Sequence, residues 1–406
     1  MSTAGDNLPI EGKMNKTTLH RRNFLLHVKQ WAGFEEPVLC KEPATDQPEQ
    51  ADLDHLHNEY AITRHLDDVD GVRKALAKKG SESQPVLLLQ YVQGRALSEL
   101  IHNETLDLQE KLRLAVSLIR ILEQIHERDV MHRELNSGNI LVAEPESPGS
   151  EGGVYLIDFG LAMIAGSGSI PPLPSGETQL HELAYISPEQ TGRMNRQVDY
   201  RTDLYSSGVT LYELFTGRLP SDGGKVLGLI HDKIARQSVP PREIDAEIPG
   251  PLSNIVSKLL AKDMDDRYQT ARGLRSDLES CLERLQESGR IETFELGRYD
   301  ITGNLRFPRN LYGRQDQIEQ LRTILDRAIE VQPQLMMVVG YPGVGKTTLV
   351  RELQSEVLDK GGCFIEGKFD QQRGTRPFAA WDLAFTSLVD YWLAQSCLLY
   401  TSDAAD

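Results

Sequence analysis

The stretch His132-Arg133-Glu134-Leu135-Asn136-Ser137-Gly138-Asn139, followed after a loop by Asp158-Phe159-Gly160, decides the fold. Two apolar runs link its halves. Asn139-Ile140-Leu141-Val142 and Val154-Tyr155-Leu156-Ile157-Asp158 are short and separated by Pro, Ser and Gly, so they read as a β-pair around a turn at 144–153. Upstream, Leu108, Leu112, Ala115, Ile119 and Leu122 step by four and three residues. That spacing predicts a long core-facing helix that delivers the chain to His132.

Further out, residues 23–28 and 37–41 read as strands joined through Gly33, and 86–92 as a largely apolar strand containing Gln90. Between them 52–65 reads as a helix, because Leu53, Leu56 and Tyr60 fall at i, i+3 and i+7 with Glu59 beside the stripe. Residues 1–18 are polar and expected to be mobile. After Gly160, residues 165–178 form a loop rich in Gly, Ser and Pro, 200–285 is helical in pattern, and 286–310 reads as a linker. A second domain opens at 311. Ile318, Leu321, Ile324, Leu325 and Ile329 share one helical face there, and Leu335-Met336-Met337-Val338-Val339 reads as a buried strand.

The 406 residues suffice for two or three domains, each with its own core. Hydrophobic content of 39% and charged content of 26% are those of globular protein. A net charge of −16 argues against general nucleic-acid binding, which wants a basic face. Cys40, Cys281, Cys363 and Cys397 are far apart and form no CxxC pair, so neither a metal site nor a disulfide framework is implied, and a reducing cytoplasmic setting is expected. Residues 1–10 lack the apolar core of a signal peptide. No run approaches the roughly 18 apolar residues of a membrane-spanning helix.

Residues from about 19 to 285 resemble the protein kinase fold, an α+β two-lobed domain with a small β-rich lobe (about 19–92) and a larger helical lobe (93–285). His132, Arg133 and Glu134 stand where the family has His-Arg-Asp, and Asp158-Phe159-Gly160 matches its Asp-Phe-Gly. The resemblance implies that Lys41 and Glu59 are the strand lysine and helix glutamate whose ion pair orients the phosphates of ATP, and that Leu141 belongs to the nucleotide pocket. Asn139 and Asp158 resemble the magnesium ligands, and amide and carboxylate oxygens suit that ion. Ser187-Pro188-Glu189 and Arg267 resemble a structural ion pair of the family, and Asp203 the aspartate that hydrogen-bonds the catalytic loop backbone. The implied activity is phosphorylation of Ser or Thr in a protein substrate by ATP and Mg2+, with Glu134 as the base.

Gly340-Tyr341-Pro342-Gly343-Val344-Gly345-Lys346-Thr347 follows the 335–339 run and precedes a helical pattern at 349–358, the context a phosphate-binding P-loop requires. Gly340, Gly343 and Gly345 let backbone N–H groups face a phosphate. Lys346 would reach the β- and γ-phosphates, Thr347 would bind magnesium, and Thr348 completes the nucleotide set. Residues 311–395 therefore read as the start of an α/β P-loop NTPase domain. Leu183-Ala184-Tyr185-Ile186-Ser187-Pro188-Glu189-Gln190-Thr191-Gly192-Arg193-Met194-Asn195-Arg196 is similar to a bacterial family of large signalling proteins. Its members join a serine/threonine-kinase-like domain to an AAA/STAND-type ATPase, with GAF and sensor histidine kinase domains beyond, so a downstream histidine kinase region is implied. Residues 396–406 continue no earlier pattern and read as a non-native tail.

The departures point elsewhere. Glu134 adds a methylene to the family's aspartate, moving the acceptor oxygen by roughly an ångström, and misplacement of that size can cost ~10²-fold in rate. Asn136 replaces a lysine close to the transferring phosphate, and a neutral amide supplies no charge there. His181-Glu182 aligns with a Gly-Thr pair, Leu39 replaces the alanine against the adenine, and Gly12 is the lone candidate for a glycine loop before the first strands. These residues define a second reading, a pseudokinase acting as a nucleotide-responsive regulatory module.

Overall fold

Apolar residues alternating with polar ones before residue 91 build a single antiparallel sheet. β1 (Leu19–Arg21), β2 (Phe24–Lys29), β3 (Val38–Pro43), β4 (Ala75–Gly80) and β5 (Pro85–Gln90) lie in the order β1-β2-β3-β5-β4. The computed structural model describes residues 19–21, 23–103, 106–144, 152–165, 180–191, 198–221, 236–300, 315–330, 332–340 and 346–351, with isolated positions between and beyond. The chain divides into two units, Met1–Gly303 and Asn304–Asp406. Residues 1–18 and 396–406, expected as a mobile segment and a tail, lie outside the described residues.

Period two places Val38 and Cys40 on one face of β3, packed with Leu88, and Lys41 on the other. That second face carries Phe24, Leu87 and Leu89 and packs against Leu56 of α1 (Gln50–His65). Lys41 is thereby turned toward the helix that bears Glu59. α1 opens on a reciprocal cap between Glu49 and Asp52. A difference from the sequence expectation lies at β1, where Arg21 pairs with Phe24, so in sequence only Arg22 and Asn23 separate the paired residues. Neither is a glycine, and Gly12 lies outside the described residues.

The helical lobe follows β6 (Gly94–Ala96) and α2 (Leu97–Asn103). α3 (Leu108–His126) is capped by Asp107 and Glu110, and it buries Leu112, Ala115, Ile119 and Leu122, the stripe read from their spacing. α5 (Arg201–Thr216), which follows the short α4 (Leu180–Leu183), is buried from Arg201 to Phe215. Gly208 allows that packing, since a Cβ there would overlap Leu259 of α7 (Gly250–Leu259), which follows α6 (Pro241–Ile244). α8 (Ala271–Ser288) packs along α3.

After β7 (Val130–Met131) come β8 (Ile140–Ala143) and β9 (Val154–Leu156), the two strands expected around the 144–153 turn, in the order β6-β8-β9. Ile140 pairs with Leu156, and the Ile157 amide donates to the Asn139 carbonyl at 3.0 Å. Antiparallel register thus brings Asn139 and Asp158 to the same end of the pair. β10 (Met163–Ile164) returns beside β7.

Residues 286–310, read as a linker, are packed as far as Asp300. Ile291 joins the core cluster with Phe294 and Leu296 against it, and the Asp300 carboxylate accepts the Gln269 amide at 2.7 Å and the Thr270 hydroxyl at 2.8 Å. Three well-spaced apolar residues suffice to bury an irregular segment that has no helical or strand period.

In the second unit, α9 (Gln315–Glu330) matches the expected helix and buries Leu321, and α10 (Lys346–Arg351) starts at the P-loop lysine. The expected buried strand at 335–339 is corrected. Residues 333–340 form no strand, and Leu335 is 99% exposed and Met337 81%. A parallel strand is buried only between flanking strands and covering helices, and none of the described residues pairs with this run.

Candidate active site

Lys41 is the centre of the site. Its Nζ donates to Glu59 Oε2 at 2.6 Å and to Asp158 Oδ1 at 3.0 Å, and Arg73 lies 3.7 Å from the other Glu59 oxygen. Lys41 is 2% exposed, Glu59 1% and Asp158 5%, so these charges have left water and hold one another. β3, α1 and the segment after β9 thus meet at a single ammonium. His55, Glu59 and Asp158 cluster closely enough to suggest a metal site, but Lys41 already sits within hydrogen-bond reach of both carboxylates.

The loop at 132–139 is held from below. Asp203 of α5 accepts the His132 amide and the Arg133 amide, each at 2.8 Å, and His126 Nε2 lies 2.9 Å away. Burial alone would raise the Asp203 carboxyl, yet the His126 contact and the surrounding donors hold it below its ordinary value. Such support permits strained backbone, and both Arg133 (φ 65°) and Asp158 (φ 66°) are left-handed. Burial lowers the His132 pKa, favouring the neutral ring. Its Nδ1 accepts the Glu134 amide at 3.3 Å, so Nε2 carries the hydrogen and donates to the Ile157 carbonyl at 3.1 Å. Phe159 is buried against His132 with ring centroids 4.6 Å apart.

Asn139 Nδ2 donates to the Glu134 carbonyl at 2.8 Å, which orients the side-chain amide. With Asp158 at the same strand ends, an amide and a carboxylate oxygen form a donor set that fits magnesium. Arg267 pairs with Glu189 in the buried floor of the lobe, and Tyr185 donates to Glu213 at 2.5 Å while contacting Ser137 at 2.9 Å. Leu141 is half-buried on the middle strand of its sheet, flanked by Ala96 and Tyr155.

Residues 32–278 match the protein kinase domain family, and residues 310–404 the AAA ATPase domain family. The chain belongs to the protein kinase family. The chain is 38% identical over 236 residues to hybrid signal transduction histidine kinase G of Dictyostelium discoideum, covering 53% of this chain and 7% of that protein. It is 34% identical over 194 residues to a probable serine/threonine-protein kinase of Clostridium perfringens, covering 48% and 27%. A probable serine/threonine-protein kinase of Streptomyces coelicolor is 33% identical over 202 residues, covering 50% and 29%. The chain therefore spans less than a third of these curated relatives. The kinase fold, with its sheet-rich small lobe and helical large lobe, precedes an ATPase domain, and the two families imply ATP binding.

One departure of this chain from the family pattern gains a physical account. Asn136 is buried and turned to the backbone, accepting the Asn139 amide at 3.1 Å and donating to the Glu134 carbonyl at 3.0 Å. It caps the 3-10 turn Ser137–Asn139, so the position holds the loop's shape and supplies no cation. Glu134 itself is half-buried.

In the ATPase unit Lys346 Nζ donates to the Gly340 carbonyl at 2.9 Å across the loop. Gly343 and Gly345 and the Thr347 and Thr348 side chains lie outside the described residues. Among the described residues, no helix is long and apolar enough to cross a membrane.

His55 and Asn58 are absent from the sequence reading. His55 Nε2 lies 3.1 Å from Asp158 Oδ1, and Asn58 Nδ2 donates to the Ala162 carbonyl at 2.8 Å and the Gly160 carbonyl at 2.9 Å. The available signal was helical spacing, since His55 stands one turn before Glu59 on the same face.

Proposed function

We propose that residues 19–285 bind Mg2+ and ATP and transfer its γ-phosphoryl group to a serine or threonine hydroxyl of a protein. The preassembled group Lys41, Glu59 and Asp158 carries this reading: three elements distant in sequence converge on one buried ammonium. Lys41, held by Glu59, would meet the α- and β-phosphates. Asn139 and Asp158 would hold the magnesium, which neutralises charge on the β- and γ-oxygens when bound. Glu134 would accept the proton of the attacking hydroxyl.

A second reading, a nucleotide-responsive pseudokinase, is favoured by Glu134, by Asn136 spent on backbone capping, and by a β1–β2 turn without glycine. In either case the output would pass to the P-loop ATPase, where Lys346, Thr347 and the loop glycines would take a second nucleotide. Similarity to a hybrid histidine kinase supports a downstream histidine kinase region in a signalling protein, and the GAF domains and cytoplasmic setting implied by the sequence resemblance belong to the same reading.

Incubating the chain with γ-labelled ATP and a generic basic protein separates the readings. Incorporation lost in Asp158→Ala supports transfer, whereas Mg2+-dependent nucleotide binding without incorporation supports the regulatory module.

A further inference from the structure

We infer that His55 and Asn58 are positioning residues that clamp Asp158, and the backbone behind it, to α1. The inference rests on the reading of Asp158 as a magnesium ligand. A carboxylate only accepts, so His55 Nε2 is the donor across the 3.1 Å to Asp158 Oδ1, and the ring lies 3.4 Å from Lys41 Nζ. The ring is itself held, stacked on Phe24 with centroids 5.1 Å apart.

Asn58, one turn further on, uses its amide on the next residues of the same segment. Nδ2 reaches the carbonyls of Gly160 at 2.9 Å and Ala162 at 2.8 Å, with Phe159 at 3.4 Å. One helix face therefore grips the carboxylate with one residue and the following backbone with another. Asp158 sits at φ 66°, a conformation that a non-glycine residue keeps only when its surroundings impose it. The clamp supplies that constraint, and it makes the magnesium carboxylate move with α1.

Without the clamp, Asp158 would spend only part of its time in the competent orientation, and apparent affinity falls by that fraction. The test measures a fluorescent ADP analogue binding to the full chain with Mg2+ and with EDTA, in a Lys346→Ala background that silences the P-loop. Asn58→Ala and His55→Leu should weaken Mg2+-dependent binding about five- to tenfold while leaving binding in EDTA within about twofold. His55→Gln, which keeps a donor near the Nε2 position, should bind much as the parent does. Thermal melts accompany each variant.

Asn58→Ala and His55→Leu binding like the parent would overturn the clamp alone. Equal loss in Mg2+ and EDTA, tracking a fall in melting temperature, would overturn it in favour of a prop for the fold. A parent without Mg2+-dependent binding, or one whose dependence survives Asp158→Asn, would remove the ligand reading and the inference with it.

Discussion

Arg267 grips Glu189 with two parallel hydrogen bonds, Nη1 to Oε1 at 2.8 Å and Nη2 to Oε2 at 3.0 Å, across 78 residues of chain. Both side chains are buried. Burial would raise the Glu189 carboxyl, and Arg267 brings it below its ordinary value instead. Removing the arginine strands a carboxylate in the core, which costs about 3–5 kcal/mol. Domains have only about 5–15 kcal/mol to lose. Arg267→Ala should therefore lower the urea midpoint sharply, and an unfolding free energy within about 1 kcal/mol of the parent would refute the account.

Lys41→Met should abolish nucleotide binding and weaken the fold together. The parent, at about 100 times its dissociation constant of Mg2+ and ATP, gains about 2.7 kcal/mol and a higher melting temperature. In a Lys346→Ala background, Lys41→Met should show no such shift. It should also melt lower without ligand, because Glu59 and Asp158 lose the ammonium they share. A normal ligand shift would detach Lys41 from the nucleotide.

What could be read beforehand was local. His132 to Asn139 and Asp158 to Gly160 are contiguous strings, and Lys41 and Glu59 announce themselves by a strand followed by a helix. His55 and Asn58 were hidden because polar residues on an amphipathic helix usually face water, and only the fold brings Asp158 against them. The β1–β2 hairpin was hidden for another reason. Leu19-His20-Arg21 is three residues of mixed polarity, too short for a period. Leu335 to Val339 is a strand by composition, but composition does not supply neighbours to pair with.

Lys233 should make stability depend on pH. Burial, with Lys262 alongside and against the pull of Asp232, lowers its pKa to about 7. The ammonium nitrogen donates to the Ala184 carbonyl, and it lies 5.1 Å from the Tyr205 ring centre. Between about pH 7 and the ordinary lysine value of 10.5 the unfolded chain holds a proton that the folded chain has released. Stability from this group therefore rises with pH through that window, by up to ~1.4 kcal/mol per unit, and the penalty is complete below it. Lys233→Met leaves the Ala184 carbonyl short of a donor at any pH, a loss of about 1–3 kcal/mol. The variant should trail the parent at pH 9 and close the gap by pH 6.5 in urea melts. A pH-independent gap would show that Lys233 does not titrate there.

Glu134→Asp should raise phosphoryl transfer if the base reading is right. Shortening the side chain returns the acceptor oxygen by roughly an ångström, and a gain approaching ~10²-fold is the ceiling for such a correction. Binding of Mg2+ and ATP should not change, since Asn139 Nδ2 donates to the Glu134 carbonyl, which the substitution keeps. Unchanged turnover at unchanged affinity would take proton acceptance away from position 134.

Gly160 and His55 should prove to be a steric pair. A Cβ built on Gly160 would fall inside the His55 imidazole, so the glycine is needed for close approach. Gly160→Ala must push the ring off Asp158 or displace the segment that Asn58 holds, and either route weakens Mg2+-dependent nucleotide binding. Adding His55→Ala removes the obstacle, so the double variant should be more stable than Gly160→Ala by itself, against the usual additivity of two losses. Thermal melts of the four proteins in that cycle check it, and a double variant less stable than Gly160→Ala would mean that something other than the imidazole excludes a side chain at 160.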